Sequence, residues 1–197
     1  MKVYLIRHAE SVANALHIWT GQTDADLSDR GMAEQRELCG RFAYPGAELY
    51  VSSPLVRCTH SMRLIYGREP DILLPEFMEC SLGILEGKKY TNLNDDKNYV
   101  EWLNTPDKPI PDGESFNSFS ERAAFGFCKV IRLMCERGVS SAAIMLHGNV
   151  MRAILHAHAD SSIPHSSWKI PNGGVYELET DGESVISWSH SPKYLFE

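Results

Sequence analysis

Arg7 and His8 follow directly on a short apolar run, Lys2-Val3-Tyr4-Leu5-Ile6. A strand that ends this way is either a polar terminus meeting water or the delivery of a reactive imidazole to a site. Comparable residues follow other apolar runs. Arg57 comes one helical turn after the run at 47–53, Glu76 and Glu79 shortly after 71–74, and His147 directly after 142–146, with Gly148 and a helix start at Asn149 behind it. In open parallel sheets the ligand crevice lies outside the carboxyl ends of the strands. Two histidines, two arginines and at least one carboxylate are therefore expected on one rim. That set suits phosphoryl transfer. Guanidiniums grip phosphate oxygens two at a time, and backbone N–H groups at a helix start add donors. A neutral imidazole supplies a nucleophile, and a carboxylic acid protonates the leaving oxygen. Each residue alone reads as a solvated terminus or surface charge; together they point to an enzyme.

The elements that must position these residues alternate between two periods. Residues 2–6, 47–53, 71–74 and 142–146 read as strands; 11–18, 30–43, 54–67 and 150–159 read as helices. Ser28 or Asp29 can cap the helix at 30–43, and Gly67 closes the one at 54–67. Ser115 begins a long helix with Phe116, Phe119, Ala123, Phe127, Val130, Ile131 and Met134 at i+3 and i+4, ended by Gly138. Ser118-Phe119-Ser120-Glu121 fits a capping box, an alternative start one turn later. A short helix is expected around 99–103. Asp181-Gly182 joins the last two strands, 175–180 and 184–190, as a hairpin. The alternation indicates a three-layer αβα sandwich on a mostly parallel sheet, with the last hairpin as an antiparallel edge pair. Residues 1–197 read as a single domain, with about 81–114 as a cap-like insertion rich in Gly, Asn, Asp and Pro.

Composition narrows the partners. The chain has 197 residues, a net charge of −7, 43% hydrophobic and 23% charged residues. That charge argues against a nucleic-acid or anionic-membrane binder, so an anion must be held by a local cluster. No apolar run reaches the roughly 18 residues of a membrane span, and residues 3–6 are too short for a signal peptide. The five cysteines include no C-x-x-C pair, which suggests a reducing cytoplasm and no structural zinc. His156 and His158, two apart on a helix, do not share a face, so no metal site is expected there.

Six blocks in order carry a family likeness: Arg7-His8-Ala9-Glu10-Ser11 with Asn14, then residues 20–31 (TGQTDADLSDRG), Ser52-Ser53-Pro54-Leu55-Val56-Arg57, Glu79 with Gly83 and Glu86-Gly87, Pro111-Asp112-Gly113-Glu114-Ser115, and Leu146-His147-Gly148-Asn149. The chain resembles the histidine phosphatase superfamily, in the branch of the cofactor-dependent phosphoglycerate mutases. The resemblance implies a phosphoglycerate mutase-like fold and a phosphohistidine on His8. Arg7, Arg57 and His147 would hold the phosphate, and Glu79 would act as general acid and then base. Asn14, Thr20, Gly21, Gly148 and Asn149 would line the phosphate pocket, with no metal and no cofactor needed. Three departures stand out. Ala9 replaces a glycine, at a cost if that position needs φ > 0 or close phosphate approach. Leu146 replaces a Ser or Thr. Cys58, His60, Ser61 and Met62 differ from the usual residues after Arg57, and none of these is expected to touch the five catalytic side chains.

Mutases of this branch carry a longer, more basic insertion with adjacent arginines. Here residues 80–112 contain Lys88, Lys89, Lys97 and Lys108, no arginine, and six acidic residues. A phosphatase acting on a small phosphorylated metabolite is therefore favoured, with Lys88 or Lys89 as a substrate contact. Trp19, Tyr90 and Trp102 are candidate pocket-mouth or specificity residues. The alternative is a mutase primed by 2,3-bisphosphoglycerate; a non-catalytic phosphate binder is a third reading. His17, His60, His165 and His190 show no partner pattern.

Overall fold

The computed structural model describes residues 1–89 and 95–196, so Tyr90 lies outside the described residues. Six strands form one sheet: β1 (Lys2–Arg7), β2 (Leu49–Ser52), β3 (Ile72–Leu73), β4 (Ser141–Leu146), β5 (Val175–Thr180) and β6 (Val185–Ser191), in the order β3-β2-β4-β1-β5-β6. β3, β2, β4 and β1 run parallel, and β5 and β6 pair antiparallel at one side. Successive residues of β1 serve opposite faces. Val3 and Leu5 pack with Phe119, Phe127, Val130 and Met134 from a long helix and with Val150 and Ile154 from a short one. Tyr4 and Ile6 pack with Cys58 and Met62 on the other side. Because both faces are covered there, β1, β2 and β4 are buried almost throughout, whereas β5 alternates and the edge strand β6 is largely exposed. The three-layer αβα sandwich is the result.

The helices are α1 (Val12–Ala15), α2 (Asp29–Arg41), α3 (Val56–Tyr66), α4 (Lys97–Asn104), α5 (Phe116–Arg137) and α6 (Gly148–Ile154). Several differ from the sequence reading. The segment expected as a helix over 11–18 holds one turn only, since His17 has a positive φ of 56°. Ser28 caps α2 through the Gly31 N–H. Ser115 caps α5 by accepting from the Ser118 N–H, so Ser118 lies inside the helix. The helix expected over 150–159 starts earlier, at Gly148, and widens into a π-turn at Leu155–Ala159.

Register then sets the site. β1 and β4 pair Arg7 with Leu146, so His8 and His147 leave the sheet side by side, and the His8 N–H donates to the Leu146 carbonyl at 3.0 Å. β2 ends one strand further over, where the Ser53 N–H donates to the Met145 carbonyl at 3.0 Å. The 81–114 segment is clipped at its neck. Ile84 N–H donates to Pro111 and Glu114 N–H to Ser81. A Cβ on Gly83 would sit 2.0 Å from the Pro111 carbonyl oxygen, so only glycine permits this approach.

Candidate active site

A cavity of about 280 Å³ opens at the carboxyl ends of β1, β2 and β4. Arg7, His8, Asn14, Thr20, Gly21, Arg57, Glu79, His147, Gly148 and Asn149 all line it, joined by Trp19, Leu82 and Arg152.

His8 is 3% exposed, and its Nδ1–H donates to the Ala9 carbonyl at 2.6 Å. That bond fixes the tautomer: Nε2 is left with its lone pair. Burial, reinforced by the Arg57 and Arg7 cations, drives the His8 pKa well below the usual imidazole value, so the ring is neutral at neutral pH. Ala9 does not have a positive φ. Its N–H donates to Ser61 Oγ at 2.9 Å, and the residue lies outside the cavity wall. The conformational cost raised by the missing glycine does not arise.

Arg57 is 2% exposed and fully oriented. Its Nε–H donates to His147 Nδ1 at 3.2 Å, and its two terminal nitrogens donate to the carbonyls of Thr23 and Gly21. Three of five N–H groups are thus used, and two remain for a ligand. Since His147 Nδ1 accepts from Arg57, its Nε2 carries the proton and donates to Ser53 Oγ at 2.8 Å. Both ring nitrogens of His147 therefore have partners within the protein, whereas the resemblance implies that this residue holds the phosphate. The ring stands edge-on to His8, centroids 5.2 Å apart. Burial and the same arginines depress its pKa as well. Cys58 Sγ lies 3.4 Å from His147 Nε2, so this departure does touch the machinery. Burial pushes that thiol up to about 12, and it packs as an apolar neighbour.

Glu79 reaches the cavity from the loop after β3. Its carboxylate accepts from the Cys80 N–H at 2.9 Å and from the Asn149 N–H, at the start of α6, at 3.3 Å. The helix-start donor expected for phosphate is thus partly spent on the carboxylate. Glu76, the other acid of that loop, turns instead to Lys129. Asn14 Oδ1 accepts from Ser11 in the α1 cap, so its NH₂ is what it can offer a ligand. Gly21 has φ +44°, and a Cβ there would strike Glu86 Oε1 at 2.4 Å.

Several residues given no individual role by the sequence hold this arrangement. Glu86 accepts from the backbone N–H groups of Gln22, Thr23 and Leu82, tying the loop that receives Arg57. Arg122 donates to both oxygens of Glu114 and to the carbonyls of Glu76, Met78 and Glu79, fixing the loop that carries Glu79. Arg152 follows Gly148 at i+4, a spacing that already puts it on the same face of α6. Lys88 turns to Asp96, and neither Lys88 nor Lys89 lines the cavity. His60 pairs with Asp26, against the expectation of no partner. His156 and His158 donate to separate carbonyls, Ile163 and Ala124. Among the described residues no helix is long and apolar enough to cross a membrane.

The model of the histidine phosphatase superfamily (branch 1) matches residues 3–189. The adenosylcobalamin/alpha-ribazole phosphatase of Salmonella typhimurium is 27% identical over 73% of this chain and 78% of its own length. A probable phosphoglycerate mutase GpmB of Enterobacter sp. is 31% identical over 68% of this chain and 64% of its own. The crystal structure of the alpha-ribazole phosphatase from Shigella flexneri superposes with a TM-score of 0.77 at 24% identity, covering 94% of this chain and 93% of that one, a likeness of fold. A structure described as a phosphoglycerate mutase, from Thermus thermophilus, has a TM-score of 0.71 at 29% identity over 95% and 98% of the two chains.

Proposed function

Since the chain belongs to the histidine phosphatase superfamily, branch 1, we propose that it hydrolyses a small phosphomonoester through a phosphohistidine on His8. The observation that carries this reading is the His8 tautomer: Nδ1–H is tied to Ala9, and an unprotonated Nε2 remains on a ring that borders the cavity beside two arginines. In the first step the Nε2 lone pair attacks phosphorus as the ester P–O bond breaks. Glu79 in its acid form hands a proton to the departing alkoxide. In the second, water attacks phosphorus, Glu79 takes its proton, the N–P bond breaks and phosphate leaves. Arg7 and Arg57 neutralise the equatorial oxygens, and His147 serves by holding the guanidinium of Arg57 in plane. Catalysis of this kind rests on positioning and preset charge, and no metal is required.

Hydrolysis is favoured over mutase chemistry by the paucity of cations around the cavity. Lys88 and Lys108 are spent on Asp96 and Glu101, and the described cations that line the cavity are Arg7, Arg57 and Arg152. A bisphosphorylated primer carries more charge than these are arranged to hold. Phosphate release from a panel of alkyl phosphates, with and without chelator, tests the reading, alongside 3-phosphoglycerate with and without 2,3-bisphosphoglycerate. Chelator-insensitive release supports it; isomerisation that depends on the primer, without phosphate release, overturns it.

A further inference from the structure

A second cavity, of about 260 Å³, adjoins the first and shares Trp19, Asn149 and Arg152 with it. Together the two reach the range of metabolite sites, roughly 300–1,000 Å³ with apolar walls and a few polar groups. The wall of the second cavity is a run of rings. Trp19 stands edge-on to Tyr99 at 5.1 Å, Tyr99 lies 6.4 Å from Trp102, Trp102 5.8 Å from Phe116, and Phe116 5.0 Å from His165. Burial, with Arg152 nearby, pulls His165 down to about 4, so it presents a neutral ring. Among the described residues that line this cavity, Arg152 is the one charged side chain.

Arg152 sits at the junction and is already tethered. Its Nε–H donates to the Trp168 carbonyl and a terminal nitrogen to Asn149 Oδ1, both at 3.2 Å, and Glu79 lies close enough to offset its charge. A carboxylate placed there would compete with Glu79 for one cation, within walls that offer it no second. A flat ring meets edges and faces suited to it, with a guanidinium plane to stack on.

Resting on the phosphatase reading for the position of the phosphate, we propose that the alcohol half of the substrate carries an aromatic ring, seated in the second cavity against the wall formed by Trp19, Tyr99 and Phe116 while its phosphate occupies the His8 cavity. Non-hydrolysable phosphonates separate this from the chemistry. By calorimetric titration, 3-phenylpropylphosphonate binds at least about tenfold tighter than n-propylphosphonate, the yield of burying one ring face. 2-Carboxyethylphosphonate binds no tighter than the propyl compound. Tyr99→Ala cuts the ring preference to about threefold or less, whereas Tyr99→Phe keeps it. Equal affinities for the ring and propyl compounds overturn the proposal, as does tightest binding of the carboxylate, or a ring preference that survives Tyr99→Ala. If the ring compound is preferred while 3-phenylpropyl phosphate is not hydrolysed, the ring site stands and the phosphatase reading falls.

Discussion

The two ends of the substrate-sized cleft are built differently. The floor around His8 is made where strands leave a sheet, and its buried Arg57 is oriented by backbone carbonyls of Gly21 and Thr23, far away in sequence. The ring-lined end is made from α4, the start of α5 and the 159–168 turn region, where Tyr99 and Phe116 are only half-buried and each packs against Trp102. Strand ends fix atoms to the precision that chemistry requires; rings set apart from the strand ends can vary in shape with little effect on that chemistry. The lesson is a division of labour: one end sets the reaction, the other sets what is reacted.

If that division holds, damage to the floor has the larger consequences. His8→Ala removes the nucleophile and lowers kcat by about 10⁴-fold or more; a steady-state assay with residual turnover within tenfold of wild type contradicts the assignment. Glu79→Gln costs about 10²–10⁴-fold and slows dephosphorylation enough that an acid-labile, base-stable phosphoprotein accumulates, seen by mass spectrometry of rapidly quenched samples. Arg122→Met acts a step removed. It leaves Glu114, about one-fifth exposed, without its partner and frees the loop of Glu79. The expected loss is about 2–3 kcal/mol in denaturant unfolding and roughly tenfold in kcat, with KM little changed.

Titration sharpens the same comparison. Buried His8 and His147 stay neutral in the fold, with pKa values depressed well below 6.5. As pH falls below about 6.5 the unfolded chain therefore binds two more protons at these residues, and His165, held down at about 4, adds a third. Each such histidine lowers stability by about 1.4 kcal/mol per pH unit until its folded pKa is reached. Urea unfolding between pH 7 and 5 follows that slope, and His8→Gln reduces it by one proton. An unchanged slope means that His8 is not protected. The smallest effect belongs to the cap: Lys88→Ala breaks an ion pair at the surface and shifts stability by less than about 1 kcal/mol, with kcat/KM unaltered.

The sequence determined the sandwich because the signals that specify it are local: apolar runs of strand length, helical periodicity over 115–137, and Ser28 and Ser115 as caps. It also placed His8, Arg57, Glu79 and His147 on one rim, since the residues leaving the carboxyl ends of parallel strands share one edge of the sheet. Contacts across the chain had no such trace. Glu86 reads as one more acid of an acidic cap until the fold sets it against residues 22 and 23; Arg122 reads as a solvated helix residue until Glu114 and three carbonyls close round it. The commitment of both nitrogens of His147, and the seat of Cys58 against its ring, depend on β2, α3 and β4 meeting at atomic distance. Ala9 is the clearest case. Its identity raised a question of backbone geometry, and only the folded chain, with φ outside the positive range and its N–H on Ser61, decides that alanine is accommodated there.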